Sequence, residues 1–239
     1  MTRKQTARLN TTSLCRSSAD SVIRRIVCIS DTHGTHRRLS VPDGDVLIHA
    51  GDFMTLGRSV EEIIDFNRWR GEQSHRFKIV IAGNHDFLFV LSPAKARTHL
   101  TNASYLENSG VHLGGFYFWG SPMVPVTSDW AFHVERGAAS RKYWDKIPVD
   151  TDVLITHGPP LGTLDKPHLL ASRLGCQELT RAILRVKPKL HVFGHIHGGY
   201  GVERALNHTC LVNCAVLNED YVLTNKPVVI DLAENFDTE

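Results

Sequence analysis

Five short clusters of carboxylate, imidazole and amide side chains recur along the chain: Ser30-Asp31-Thr32-His33, Ala50-Gly51-Asp52, Ala82-Gly83-Asn84-His85-Asp86, Thr156-His157-Gly158-Pro159-Pro160 and Gly194-His195-Ile196-His197. Asp31 and His33 stand two residues apart, as do His195 and His197. Extended backbone turns residues so spaced to the same side, so each pair can face one centre. The donors on offer are carboxylate oxygen, imidazole nitrogen and one amide oxygen, with no thiolate. That set suits Mn²⁺, Fe or Zn²⁺ in an open site, not a closed structural zinc. Asp31, His33, Asp52, Asn84, His157, His195 and His197 make seven candidate ligands. Seven is too many for one open catalytic ion and suits two ions that share a bridging carboxylate. A single Asp or His at a strand end is usually a cap or a solvated polar group; five such clusters at corresponding places are not explained that way.

The elements that must position these clusters precede them. Each follows a short, β-branched-rich apolar run: Ile26-Val27-Cys28-Ile29, Val46-Leu47-Ile48, Ile79-Val80-Ile81, Val153-Leu154-Ile155 and His191-Val192-Phe193. Continuous runs of this kind suit strands covered on both faces. Ligands in open α/β sheets bind beyond the carboxyl ends of the strands, which predicts that all five clusters share one edge. Further strands are expected at 116–119, 210–212 and 228–232. Two helices are predicted. Ser59-Val60-Glu61-Glu62 reads as a capping box, with Ser59 as N-cap and Glu62 reaching back, opening a stripe of Val60, Ile63 and Ile64. The second runs from about Cys176 to Val186, with Leu179, Ala182, Ile183 and Val186 on one face and Pro188 as its stop. Strands alternating with helices predict an α/β fold.

Composition sets the outer limits. A chain of 239 residues is enough for one sizeable domain. Hydrophobic residues at 42% and charged residues at 22% exclude disorder over most of it. No run approaches the ~18 apolar residues of a membrane span; the densest, 87–91 and 78–82, are strand-sized. No apolar segment of a secretory signal follows the basic N-terminus. The five cysteines are odd in number and scattered without a CxxC pair, so reduced thiols in the cytoplasm are expected. Six Lys/Arg against one acid fall in residues 1–25. Residues 1–24 therefore read as a flexible basic tail, or alternatively as an organelle transit peptide. Residues 25–239 read as the domain, and its slightly acidic balance argues against a stable nucleic-acid partner, which needs a basic face. The fourteen histidines are the unusual feature of the composition and point to metal or acid–base chemistry.

The ordered set D-x-H, G-D, G-N-H-[DE], G-H and G-H-x-H resembles that of the calcineurin-like metallophosphoesterases. It is met here at Asp31/His33, Gly51-Asp52, Gly83 to Asp86, His157 and Gly194 to His197, with Thr156 where many members have Gly. The likeness is greatest to the small metallophosphoesterase-domain-containing (MPPED-like) branch, through 28–33, 78–85, 156–162, 189–194 and 199–201, and spans nearly everything from Arg25 to Leu232. The resemblance implies a four-layer α-β-β-α sandwich of the metallo-dependent phosphatase type. It implies one ion on Asp31, His33, Asp52 and His197, and a second on Asp52, Asn84, His157 and His195, with Asp52 bridging. It also implies a phosphodiesterase for cyclic nucleotides or simple diesters, best supported by Mn²⁺.

Two ions about 3.5–4 Å apart would hold a hydroxide for in-line attack on phosphorus and neutralise the non-bridging oxygens. The leaving alkoxide needs a proton, and His85, between Asn84 and Asp86, is the expected acid. Asp86 either orients that imidazole or caps a turn. In phosphatase branches such as calcineurin an acid three residues after the G-D aspartate helps to hold the histidine. Thr55 stands there in this chain, leaving His85 without that brace and arguing against a phosphoprotein phosphatase. Asn84 and His85 are expected to touch substrate, Trp130 or Phe132 to stack on a base, and His133 or Arg136 to touch phosphate. Asp165 and His168 could support the ligands from behind. His36, His49, His112, His191 and His208 read as ordinary polar or core residues. The expected partner is a small phosphodiester or nucleotide. The alternatives are a nuclease, a phosphomonoesterase, or a non-catalytic binding protein on the same scaffold, and the last is disfavoured because all seven ligand positions stand.

Overall fold

The computed structural model describes residues 25–125, 129–168 and 172–232, so the basic tail expected over 1–24 lies outside the described residues. In chain order the strands are β1 (Arg25–Ile29), β2 (Val46–Ala50), β3 (Phe77–Ile81), β4 (Ser104–Tyr105), β5 (Ser109–Leu113), β6 (Phe116–Ser121), β7 (Val124–Pro125), β8 (His133–Val134), β9 (Val153–Thr156), β10 (Leu190–Phe193), β11 (Gly201–Ala205), β12 (Thr209–Asn213) and β13 (Val228–Asp231). The helices are α1 (Val60–Glu72), α2 (Leu88–Leu91), α3 (Pro93–His99), α4 (Ala138–Trp144) and α5 (Gln177–Val186).

Two sheets form the centre. One is ordered β13-β1-β2-β3-β4, the other β11-β12-β10-β9-β6-β5. In the first, β1, β2, β3 and β4 run parallel and β13 returns antiparallel beside β1. In the second, β6, β9, β10 and β12 run parallel, with antiparallel strands at both edges. The long central strands are apolar on both faces because both faces are covered. Ile26, Cys28, Ile48 and Ile81 point between the sheets toward Phe118, Ile155, Val192 and Val212. Their neighbours Val27, Ile29, Leu47 and Val80 point outward onto Ile63, Phe66 and Trp69 of α1 and Ala96 of α3. On the far side Leu154, Phe193 and Leu211 pack on Trp144 of α4 and on Leu179, Ala182 and Ile183 of α5. The result is the four-layer α-β-β-α sandwich.

Local chemistry explains most of the ends. The second predicted helix is α5; its chain leaves through Lys187 in the left-handed conformation at φ 56°, and Pro188 cannot extend the helix. The first is α1, but only half of its capping box forms. Ser59 accepts from the Glu61 amide at 3.1 Å, whereas Glu62 takes the amide of Thr55 at 2.8 Å instead of reaching back to Ser59. The run 78–82 lies in β3 up to Ile81, and Ala82 follows the strand. The run 87–91 becomes α2, because Asp86 turns the chain after Asn84 and the Leu88 amide donates to the Gly57 carbonyl at 2.6 Å. No described helix is long and apolar enough to cross a membrane.

Candidate metal centre

The loops leaving β1, β2 and β3 in one sheet meet those leaving β9 and β10 in the other. Asp31 N donates to the Gly51 carbonyl and His33 N to the Asp52 carbonyl, each at 3.0 Å, so the first two loops run side by side. His157 Nδ1 donates to the Ala50 carbonyl at 2.9 Å and ties the second sheet to the first. Asp31, His33, Asp52 and His195 have φ of 55°, 39°, 55° and 67°. Left-handed backbone costs a non-glycine residue roughly 1–2 kcal/mol, and its concentration at one place marks a functional centre. The motif glycines have a steric cause. A Cβ on Gly83 would run into the Asp52 carboxylate, and one on Gly194 into the Asp31 carboxylate.

All seven expected ligands come together. Asp31, His33 and His197 place one donor atom each within 4.8 Å of one another; so do Asp52, His157 and His195. A third grouping unites His33, Asp52 and His85. Asp52 faces both sides, with Oδ2 at 3.2 Å from His157 Nε2 and 3.8 Å from His33 Nε2. Asn84 Oδ1 lies 2.9 Å from His157 Nε2, and His197 Nε2 lies 3.5 Å from Asp31 Oδ1. Asp31 also accepts from the His195 amide through both oxygens, at 3.1 and 3.0 Å.

These atoms fit a pair of cations. His157 spends its Nδ1 hydrogen on a main-chain carbonyl, and so does His197, on Asn218 at 2.9 Å. A carbonyl only accepts, so the Nε2 lone pairs are left facing the cluster, the arrangement that orients metal-binding imidazoles. At His157 that lone pair meets two further acceptors, Asn84 Oδ1 and Asp52 Oδ2. Acceptors converging on one imidazole nitrogen make a place for a cation, either a proton or a metal ion. His33 Nε2 is buried without any hydrogen-bond partner, which a metal ligand explains.

The electrostatics agree. Burial raises the Asp52 carboxyl, but the charge and hydrogen bond of His157, with His33, hold it well below the usual carboxylate range. Burial likewise acts on Asp31 and is overcome by the hydrogen bond and charge of His197. Burial lowers His157, yet the Asp52 charge and hydrogen bond outweigh it and raise it from 6.5 to about 9. His195 goes the other way, to about 3, through burial and then the charge of His157. Without metal, the folded state holds the His157 proton between pH 6.5 and about 9, where the unfolded chain has lost it. That stabilisation is fully present below 6.5 and disappears as pH rises through about 9. His195 adds no slope there; its contribution is lost only as pH falls below 6.5. Metal-free protein is therefore expected to melt lower at pH 9 than at pH 7 by scanning calorimetry, and metal uptake at pH 7 to release protons. A flat melting temperature across that range would show that His157 holds no such proton.

His85 is braced after all. Its Nδ1 donates to the Thr55 carbonyl at 2.9 Å, so the main chain supplies what the absent acid does elsewhere. Thr55 is itself fixed on two sides, through its amide to Glu62 and its hydroxyl to the His33 carbonyl at 3.1 Å. Trp130 stacks on His85 with ring centroids 4.3 Å apart at 28°. Asp86 caps the turn: it accepts from the amides of Asp52, Met54 and Gly83 at 2.9, 2.9 and 2.7 Å, with no bond to the His85 ring.

Other expected groups lie elsewhere. Phe132 packs among the apolar layers and lines a separate cavity with His133. Arg136 holds the carbonyls of Leu174 and Gly175. Asp165 ties Gly162, Arg173 and Gly175 together, and His168 pairs with Glu219 at 3.1 Å. His49 and His191 do more than fill the core: each binds a threonine beside a ligand, His49 to Thr32 at 3.0 Å and His191 to Thr156 at 2.8 Å. Tyr221, which no sequence pattern marks, lies against the rings of His33 and His197.

The calcineurin-like phosphoesterase family profile matches residues 24–199. Human metallophosphoesterase domain-containing protein 1 is 44% identical over 232 residues, covering 87% of this chain and 71% of that protein. Among solved structures, TT1561 of Thermus thermophilus gives a TM-score of 0.57 at 14% identity, over 80% of this chain and 89% of that one. Phosphopantetheinyl hydrolase from Mycobacterium tuberculosis gives 0.53 at 14% identity, over 85% and 92%. These two show likeness of fold alone. The match to the human protein is of another order, since it extends through the elements between the motifs as well as the motifs themselves, and this chain belongs to the calcineurin-like phosphoesterase family.

Proposed function

We propose that this metallophosphoesterase is a phosphodiesterase for small diesters, cyclic nucleotides among them, working in the cytoplasm with two divalent ions, Mn²⁺ first. Asp31, His33, Asp52 and His197 would hold one ion, and Asp52, Asn84, His157 and His195 the other. When bound, such ions supply Lewis-acid neutralisation of phosphate charge and acidify a water. The chain's own groups do the rest. His85, its Nδ1 hydrogen held by the Thr55 carbonyl, turns Nε2 toward the leaving oxygen and would donate to it as the doubly protonated imidazolium. Asp86, by gathering three amides, holds the Asn84–His85 loop and the Asp52 loop in one piece. Trp130, stacked on His85, offers its face to an aryl or nucleobase group on the departing side.

The observation that carries the diester reading is charge. The cleft beyond His85, of about 410 Å³, is lined by Leu56, Arg58, Phe87, Asp129 and Trp130, one cation against one anion. A second cleft, of about 480 Å³, which opens on His195 and His197, contributes Glu219 and no Lys or Arg among its described lining. Walls without net positive charge suit a singly charged diester with planar groups, not a dianionic monoester or the polyanion of a nucleic acid. The test is turnover of cyclic nucleotides, linear diesters and monoesters after Mn²⁺ is added to metal-free protein. Diesters are expected to react at least about tenfold faster than matched monoesters. The reverse order would replace this reading with a phosphomonoesterase.

A further inference from the structure

Tyr221 stands in a place that packing does not demand. Its backbone is left-handed at φ 57°, a conformation that costs a bulky residue and suits Asn or Gly. The residue is 55% exposed. Yet it is held firmly: Tyr221 N donates to the Asn218 carbonyl at 3.0 Å, the same oxygen that takes His197 Nδ1 at 2.9 Å. Asn218 Oδ1 collects the amides of Asp220 and Val222 at 3.1 and 2.9 Å and closes the turn. The turn thus presents the tyrosine edge-to-face against two expected ligands, with centroids 5.0 Å from His33 and 5.1 Å from His197. The remaining face belongs to the cleft of about 480 Å³ that it shares with Pro167, Leu174 and Glu219 and that opens on His195 and His197.

His33 touches both neighbourhoods: its ring is 4.5 Å from His85 and 5.0 Å from Tyr221. Trp130 is the aromatic wall at the proton donor, and Tyr221 is a separate wall, against His33 and His197, lining a different cleft. In diester hydrolysis water gives phosphorus a hydroxyl through a new P–O bond, and the P–O bond to the leaving group breaks. That oxygen takes the proton of doubly protonated His85, and the water's other hydrogen leaves as the proton that restores His85. The second ester oxygen keeps its bond to phosphorus and its organic group. Resting on the phosphodiesterase reading above, we propose that Tyr221, with Pro167 and Leu174, is the specificity wall for this retained ester group and selects a planar aryl or nucleobase-bearing one.

Two diesters with one leaving group isolate the effect: bis(p-nitrophenyl) phosphate, whose retained group is planar, and methyl p-nitrophenyl phosphate, whose retained group is not. The full chain loaded with Mn²⁺ is compared with its Tyr221→Asn and Tyr221→Phe variants. Asparagine accepts the left-handed backbone, so it removes the ring without disturbing the turn that holds His197. For Tyr221→Asn, KM for the bis-aryl ester is expected to rise about tenfold, in line with the loss of one stacking face. Its kcat should be little changed and the methyl ester unaffected, while Tyr221→Phe keeps wild-type values on both. Metal content should equal that of the unaltered protein. Equal losses on both esters, no change on either, or a loss in Tyr221→Phe would overturn the proposal. Inertness of the unaltered protein toward both diesters would instead overturn the phosphodiesterase reading itself, and this inference with it.

Discussion

Replacing Asp52 with asparagine is expected to lower turnover by more than about a thousandfold and to empty both ion positions. The side chain is buried, and its two oxygens do different work. Oδ1 accepts from the His85 amide at 2.7 Å, and Oδ2 faces His157 Nε2 at 3.2 Å and His33 Nε2 at 3.8 Å. An amide keeps the volume and can keep the bond to His85, so the loop should survive. What it loses is the charge, and it turns hydrogen donors toward a region built of acceptors. Metal analysis of the purified variant checks this directly. Near-zero occupancy at both positions is the expected result, with a circular dichroism spectrum like that of the parent. Asp31→Asn is the comparison: Asp31 belongs to one grouping only, so one position should empty and the other persist. An Asp52→Asn protein that still binds two ions would remove Asp52 from its shared role.

The parts of this site that the sequence announces are those whose chemistry is carried by side chains at fixed offsets from a buried strand. Ile26 to Ile29 and Val46 to Ile48 are apolar throughout because each residue meets either the other sheet or a helix, and the polar cluster after each run then stands out. The edges lack that contrast. β5 and β11 are half-buried or exposed along their length, and polar residues such as His112, Glu203 and Arg204 hide them from any apolar pattern. The run 87–91 has strand composition but takes the helical turn that Asp86 imposes, a tertiary effect that outweighs propensity.

Main-chain acceptors are harder still to read. The carbonyls of Thr55, Ala50 and Asn218 set the tautomers of His85, His157 and His197, and any residue supplies a carbonyl. The lack of an acid at position 55 therefore does not leave His85 unsupported, because the brace is an atom with no sequence signature. Glu62 is legible as a helix-capping residue, but the amide it caps is that of Thr55, and the bond serves the site more than the helix. Tyr221 is invisible for a different reason from β11. It lies far from every motif, and only the closing of a five-residue turn around Asn218 brings its ring to the centre.

The second large effect concerns His85. If its Nε2 delivers the proton, His85→Ala will slow diesters with alkoxide leaving groups, cyclic nucleotides included, by about a hundredfold or more, the usual worth of a positioned acid. Aryl esters, whose leaving groups need no proton, should slow by less than about tenfold. Two features of the structure sharpen the test. His85 shares a grouping with His33 and Asp52, so it is also placed to be a ligand; metal content tells the roles apart, because an acid can be deleted without losing an ion. It also supports Trp130 by stacking, so part of any loss could reflect a displaced wall. His85→Asn, which can still donate a hydrogen bond but cannot transfer the proton, should behave like alanine on alkoxide leaving groups. Thr55→Val keeps the carbonyl and removes only the hydroxyl contact to His33, so the ratio of alkoxide to aryl rates should stay near that of the parent. If His85→Ala slows both ester classes equally with both ions in place, the proton must come from elsewhere. If it loses an ion, His85 belongs among the ligands, and the Thr55 carbonyl then serves to aim a metal-binding nitrogen instead of an acid.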